Sequence, residues 1–258
     1  MFPRLVLQDP RGAFVSLSHF CPTAAGLLFD GDGRAATIVE APVSLVENIA
    51  LEGLDARETW PPLLRRGVLM DVDSYAAWER HAIRILTGDG LSPWQALGRI
   101  DAATSSLLDW KPEGGAGSLS QRVEDAFAAA PRGDGSHPNG RLWSVVRGAV
   151  PEELERPGLP VEWTAQLAPS LAALEEHASA VCRWLAARLF GAWIAYQGTG
   201  LRTILDYLRA ALDVLLVEMA RGAREAILDR RAALEAIRRS DHFLIHRARS
   251  ERLAALLS

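Results

Sequence analysis

The stretch "TILDYLRAALDVLLVEMA" (Thr203–Ala220) decides the fold. Ile204, Leu205, Tyr207, Leu208, Ala211, Leu212, Leu215, Leu216 and Met219 recur at i, i+1, i+3 and i+4, which predicts an α-helix with one wide apolar face. That face must be covered. The segment before it, "ASAVCRWLAARLFGAWIAYQ" (Ala178–Gln197), offers Cys182, Leu185, Leu189, Trp193 and Tyr196 at similar spacing, and "QGTG" (Gln197–Gly200) is a tight break between the two. Antiparallel packing is therefore expected. A third helix from about Asp229 to His246 and the tail "SERLAALLS" would complete a bundle of about three to four helices over residues 161–258.

Neither long helix suits a bilayer, because Arg183 and Arg188 interrupt one and Asp206, Arg209, Asp213 and Glu218 the other. Each such charge costs about 2.5–3.5 kcal/mol at a membrane centre. No membrane partner is expected. The 258 residues carry a net charge of −4, so nothing overall would recruit nucleic acid. Two cysteines, Cys21 and Cys182, cannot make a disulfide framework, and no charged-then-apolar signal segment opens the sequence, so the expected compartment is the reducing cytoplasm.

Upstream, the pattern divides into three further regions. Residues 1–45 read as a β-hairpin plus a short helix: "RLVLQ" and "AFVSLS" are β-prone runs joined by "DPRG", Pro22 suits a first helical turn, and "ATIVEAP" reads as another short strand. Residues 46–110 read as a helical segment. Within it, helical periodicity begins at Asp71, with Tyr75, Trp78, Ala82, Ile85 and Leu86 on one face; Ser92 is an N-cap candidate followed by Pro93. Residues 111–160 read as a loop-rich connector in which "LSQRVEDAFAA" and "GRLWSVVRGAV" are short helices. The expected fold class is thus mainly α, a helical bundle with a small N-terminal β-hairpin region.

Several groupings look chemical and read more simply as structure. His242 and His246 are one helical turn apart, a spacing metals can use, but no Glu adjoins the first and no third ligand is nearby. They read as helix-surface histidines. Glu175, Glu176, His177 and Cys182 are close in sequence, yet Cys182 faces another side and reads as a core thiol. "GTGLRT" follows a helix and lacks a P-loop lysine, leaving Arg202 only a faint anion-binding possibility. "DGDG" (Asp30–Gly33) reads as a turn, and the eight scattered tryptophans as packing residues.

One segment goes further. "FPRLVLQDPRGAFVSLSHFCPTAAGLLF" (Phe2–Phe29) resembles the part that closes the cysteine cluster in the YkgJ-type zinc- or iron-chelating proteins, a family that includes the flagellin lysine-N-methylases of the FliB kind. Phe2, Pro3 and Arg4 match the family's Phe-Pro-Arg motif and Ser18 its Ser-leading stretch. Cys21 with Pro22 matches its Cys-Pro, and Ala24, Ala25, Leu27 and Leu28 match the helix that follows. The resemblance implies that Cys21 is a metal ligand, the single candidate in this sequence. The family's other cysteines have no counterpart here, whereas a structural zinc or an iron–sulfur cluster takes about four ligands.

Two expectations follow from the resemblance. The first is that this chain is the C-terminal part of a metal-cluster protein whose coding start lies further upstream. Such a parent would carry zinc or an iron–sulfur cluster, would modify a protein substrate as a lysine N-methylase does, and would use S-adenosylmethionine if it follows its relatives. The 258 residues alone would then hold no stoichiometric metal or other cofactor. The second expectation is a catalytically silent helical protein that binds a partner or self-associates.

Overall fold

The computed structural model describes residues 3–9, 12–30, 39–40, 54–55, 62–88, 90–114, 117–133, 135–190, 192, 194, 197–223 and 228–258. Strand β1 (Pro3–Asp9) pairs antiparallel with β2 (Gly12–Leu17), from Pro3 opposite Leu17 to Asp9 opposite Gly12. After helix α1 (Pro22–Asp30), two short strands join the sheet: β3 (Val39–Glu40) beside β2 and β4 (Leu54–Asp55) parallel to β1. The order is β3-β2-β1-β4. The "DGDG" turn after Asp30 and the tryptophans at 60 and 193 lie outside the described residues.

Within the expected helical segment 46–110, residues 46–53 and 56–61 lie outside the described residues, and the first described helix begins at Val72. A second hairpin precedes it, β5 (Leu63–Arg65) against β6 (Val68–Leu69), turning where Gly67 takes φ 76°. "LLRRGVLM" carries that signal, an apolar run on each side of a glycine turn. Helices α2 (Val72–Gly88) and α3 (Pro93–Leu107) follow, and Ser92 caps α3 in a full capping box with Gln95. Trp78, fully buried on α2, keeps its indole N–H satisfied by Thr104 Oγ1 of α3 at 2.9 Å.

The connector contributes α4 (Ser118–Ala129) and α5 (Trp143–Gly148), and the C-terminal block contains α6 (Trp163–Glu176), α7 (Ala178–Leu189), α8 (Leu201–Gly222), α9 (Arg230–His242) and α10 (Ser250–Leu256). Mainly α and a helical bundle is therefore the observed class. Among the described residues, no helix is long and apolar enough to cross a membrane.

Helix α8 is the axis of the bundle. Its predicted apolar residues are all buried, and so are Ala210, Asp213, Val214, Val217 and Glu218. The expectation of a single apolar face is corrected, since α9, α6, α3 and α5 cover the helix on several sides. Each leucine fully buried here contributes about 1.5–3 kcal/mol.

Two helix ends also differ from expectation. Helix α7 stops at Leu189 instead of reaching Gln197, because Phe190 turns to extended backbone, φ −60° and ψ 124°. Trp193 and Tyr196 thus lie outside α7 and outside the described residues. Helix α9 begins at the Asp229 N-cap but ends at His242, and Phe243–Arg247 widens into a π-helical turn.

Candidate functional site

Cys21 is where the sequence points, and the fold places it at the start of α1. Its carbonyl accepts the Ala25 N–H at 2.9 Å, so it stands at the N-cap position, with Pro22 in the first turn. The side chain is 9 % exposed. The Ala24 backbone N–H directed at the sulfur lowers its pKa below the ordinary thiol range, against the upward push of burial, and Thr23 assists.

The loop before Cys21 is fixed by a residue that the sequence reading did not single out. Asp241 of α9 is 1 % exposed, and its Oδ2 accepts the backbone N–H of His19 at 2.7 Å and of Phe20 at 3.1 Å. Its Oδ1 accepts from Trp184 Nε1 and from Arg188 Nη1, each at 3.2 Å. Arg188 also donates to the Tyr207 hydroxyl. A buried carboxylate survives only if paired and hydrogen-bonded, and four donors do that here. The clue in sequence was an aspartate on the same helical stripe as Ala233, Ile237 and Leu244, where a core residue is expected.

Around this latch, Arg238 Nε donates to the Phe20 carbonyl at 2.9 Å, and Arg183 Nε to the Leu28 carbonyl at 2.6 Å near the far end of α1. Helix α1 is thereby held between α7 and α9. His242 and His246 have ring centroids 5.0 Å apart, and the Phe20 ring meets them edge-on at 6.4 and 5.0 Å. Burial first, and then repulsion from His246 and Arg247, lower the pKa of His242, with Asp241 acting the other way. Both rings are exposed, as a helix-surface pair should be.

The remaining candidates are structural. Cys182 is buried, its thiol directed at the Leu91 carbonyl at 3.7 Å, and burial pushes its pKa up to about 12. "GTGLRT" is a connection packed onto β5: Gly200 has φ 67°, and a Cβ there would collide with the Leu63 carbonyl. Arg202 reaches Ser105 Oγ at 3.4 Å. Among the described residues, no three His, Cys, Asp or Glu side chains converge as a metal site.

A second buried carboxylate was also missed. Asp213 of α8 accepts the backbone N–H groups of Asn139 at 3.0 Å, Gly140 at 3.1 Å and Leu142 at 2.7 Å, pinning the connector to the bundle axis. Burial raises its pKa, and those three donors partly reverse the effect.

Fold and site together define a mainly α-helical bundle that clamps a Cys-Pro helix start against its C-terminal helices. No family model, no curated protein and no solved structure matches the chain.

Proposed function

We propose that this chain is the C-terminal part of a YkgJ-type metal-cluster protein and that Cys21 is one of the thiolate ligands. The observation that carries the reading is the setting of Cys21, a thiol with its charged form favoured by the Ala24 N–H, on a loop immobilised by Asp241. Hydrogen bonds to sulfur and a rigid supporting shell are what thiolate-bound zinc and iron–sulfur centres require. The described residues supply one thiolate of the about four such a centre takes, so they do not by themselves fit the group. No reaction step is derived through it. In this reading the other ligands come from sequence preceding Met1, and the complete protein is a protein-modifying enzyme of the lysine N-methylase kind.

The test is metal analysis of the chain extended by its in-frame upstream codons and purified anaerobically. Stoichiometric iron or zinc, lost in Cys21→Ser, is expected. Upstream codons without clustered cysteines, or an extended protein that has them and binds no metal, would overturn the reading.

A second reading, a partner-binding or self-associating helical protein, is favoured by Leu154, Leu159 and Val161, exposed by 41, 45 and 90 % within one short stretch. Light scattering at rising concentration tests it. A mass that stays monomeric, unchanged by Val161→Asp, argues against self-association.

A further inference from the structure

Beside the Cys21 loop a groove of about 380 Å³ runs between Phe20, the C-terminal end of α8 and the outer side of α9 and its π turn. Its size falls within the roughly 300–1,000 Å³ of small-molecule sites. Its charge is unlike that of the whole chain. Four guanidinium groups, of Arg221, Arg238, Arg239 and Arg247, line it against two carboxylates, Glu218 and Glu235, in a protein of net charge −4.

The arginines are held in place and still have donors to offer. Buried Glu218 pairs with Arg221 and takes Arg239 Nε at 3.2 Å. Arg238 is fixed by the Phe20 carbonyl through Nε and by Glu235 at 2.6 Å through Nη1. Arg247 donates Nη2 to the Glu155 carbonyl at 2.7 Å and has no carboxylate partner among the described residues. A guanidinium has five N–H donors. Among the described residues, Nη2 of Arg238, Nη1 of Arg239, and Nε with Nη1 of Arg247 therefore remain for a ligand. Phe20, Phe243 and Pro157 supply apolar wall beside them.

We infer that this groove binds a small phosphorylated molecule, its phosphate held by Arg238, Arg239 and Arg247 and its organic part resting on Phe20. A phosphate monoester carries about −1.5 to −2 charges at neutral pH and three acceptor oxygens, which matches the excess of two guanidiniums and their forked donors. A monocarboxylate would leave half of that charge unanswered. The inference does not depend on the metal reading of Cys21.

Calorimetric titration of the 258-residue chain with adenosine monophosphate, and separately with inorganic phosphate at equal ionic strength, tests it. Saturable 1:1 binding of the nucleotide, tighter than that of phosphate, is expected. Arg247→Gln and Arg238→Gln should each weaken it at least about tenfold, since a charge-assisted hydrogen bond contributes 1.5–3 kcal/mol. Arg80→Gln, on remote α2, should not. Among the described residues Arg247 makes one hydrogen bond, to a backbone carbonyl, so its replacement should leave the fold intact, and matched thermal melts would verify this. The inference is overturned by absent saturable binding of both probes at millimolar concentration, or by equal nucleotide binding in the Arg238→Gln/Arg247→Gln double variant. Inorganic phosphate binding as tightly as the nucleotide would also overturn it, by removing the organic part.

Discussion

Cys21 and Cys182 are both free thiols, yet their surroundings push them in opposite directions. At Cys21, backbone N–H groups at a helix start favour the thiolate; at Cys182, burial favours the neutral thiol and raises the pKa to about 12. Alkylation of the native protein with iodoacetamide should therefore modify Cys21 alone. Its rate should rise with a midpoint below that of a free thiol, because the anion reacts and its fraction grows once pH exceeds the lowered pKa. Mass spectrometry after digestion checks both points; native labelling of Cys182, or a Cys21 midpoint at or above the free-thiol value, would contradict them. The core role of Cys182 was legible from its place among Leu185 and Leu189. The N–H groups facing Cys21 follow from where α1 begins, which Pro22 announced, but the immobilised loop before it did not show in the sequence.

Among the elements, the connector 111–160 departs most from its sequence character. Its Gly, Pro and Ser content reads as loose chain, and two stretches of it are tightly seated. Gly133 and Gly135 lie on Gly98 of α3 so closely that a Cβ on Gly135 would collide with the Trp94 carbonyl. Seven residues further on, Leu142 donates to Asp213. Gly135→Ala should lower stability by about 1–3 kcal/mol, the usual cost of overpacking a closely fitted site. Gly158→Ala, where a Cβ meets nothing, should stay within about 0.5 kcal/mol. Urea unfolding of the two variants measures the difference, and equal midpoints would show that the contact is not constraining. Composition identified these residues as non-helical, because glycine and proline break local periodicity. It could not reveal their contact with α3, since close backbone approach is a relation between segments.

Across the whole molecule, one buried core joins residues from Leu28 on α1 to Ala254 on α10, and Asp241 is its polar fastening, linking residue 19 to residue 241. Asp241→Ala would remove a buried carboxylate that Arg188 pairs with and that accepts the His19 and Phe20 backbone N–H groups, a loss of about 3–5 kcal/mol. The surface N-cap change Asp229→Ala should cost only about 0.5–2 kcal/mol. Denaturant unfolding followed by near-ultraviolet circular dichroism compares them; similar losses would mean that the buried network is not what fastens α1. Helix α6 was not legible in the sequence, whereas local physics sufficed for helices α7, α8 and α9 with the Asp229 start, the Ser92 cap, the first hairpin and the buried state of Cys182. Each follows from periodicity or from a side chain bonding its own neighbourhood. Packing alone sets the enclosure of α8 on several sides, the hold of Asp213 and Asp241 on distant backbone, and the meeting of arginines from α8, α9 and the π turn in one groove. Burial and charge pairing between segments far apart in sequence are set by how helices pack, and that information is spread over the whole chain.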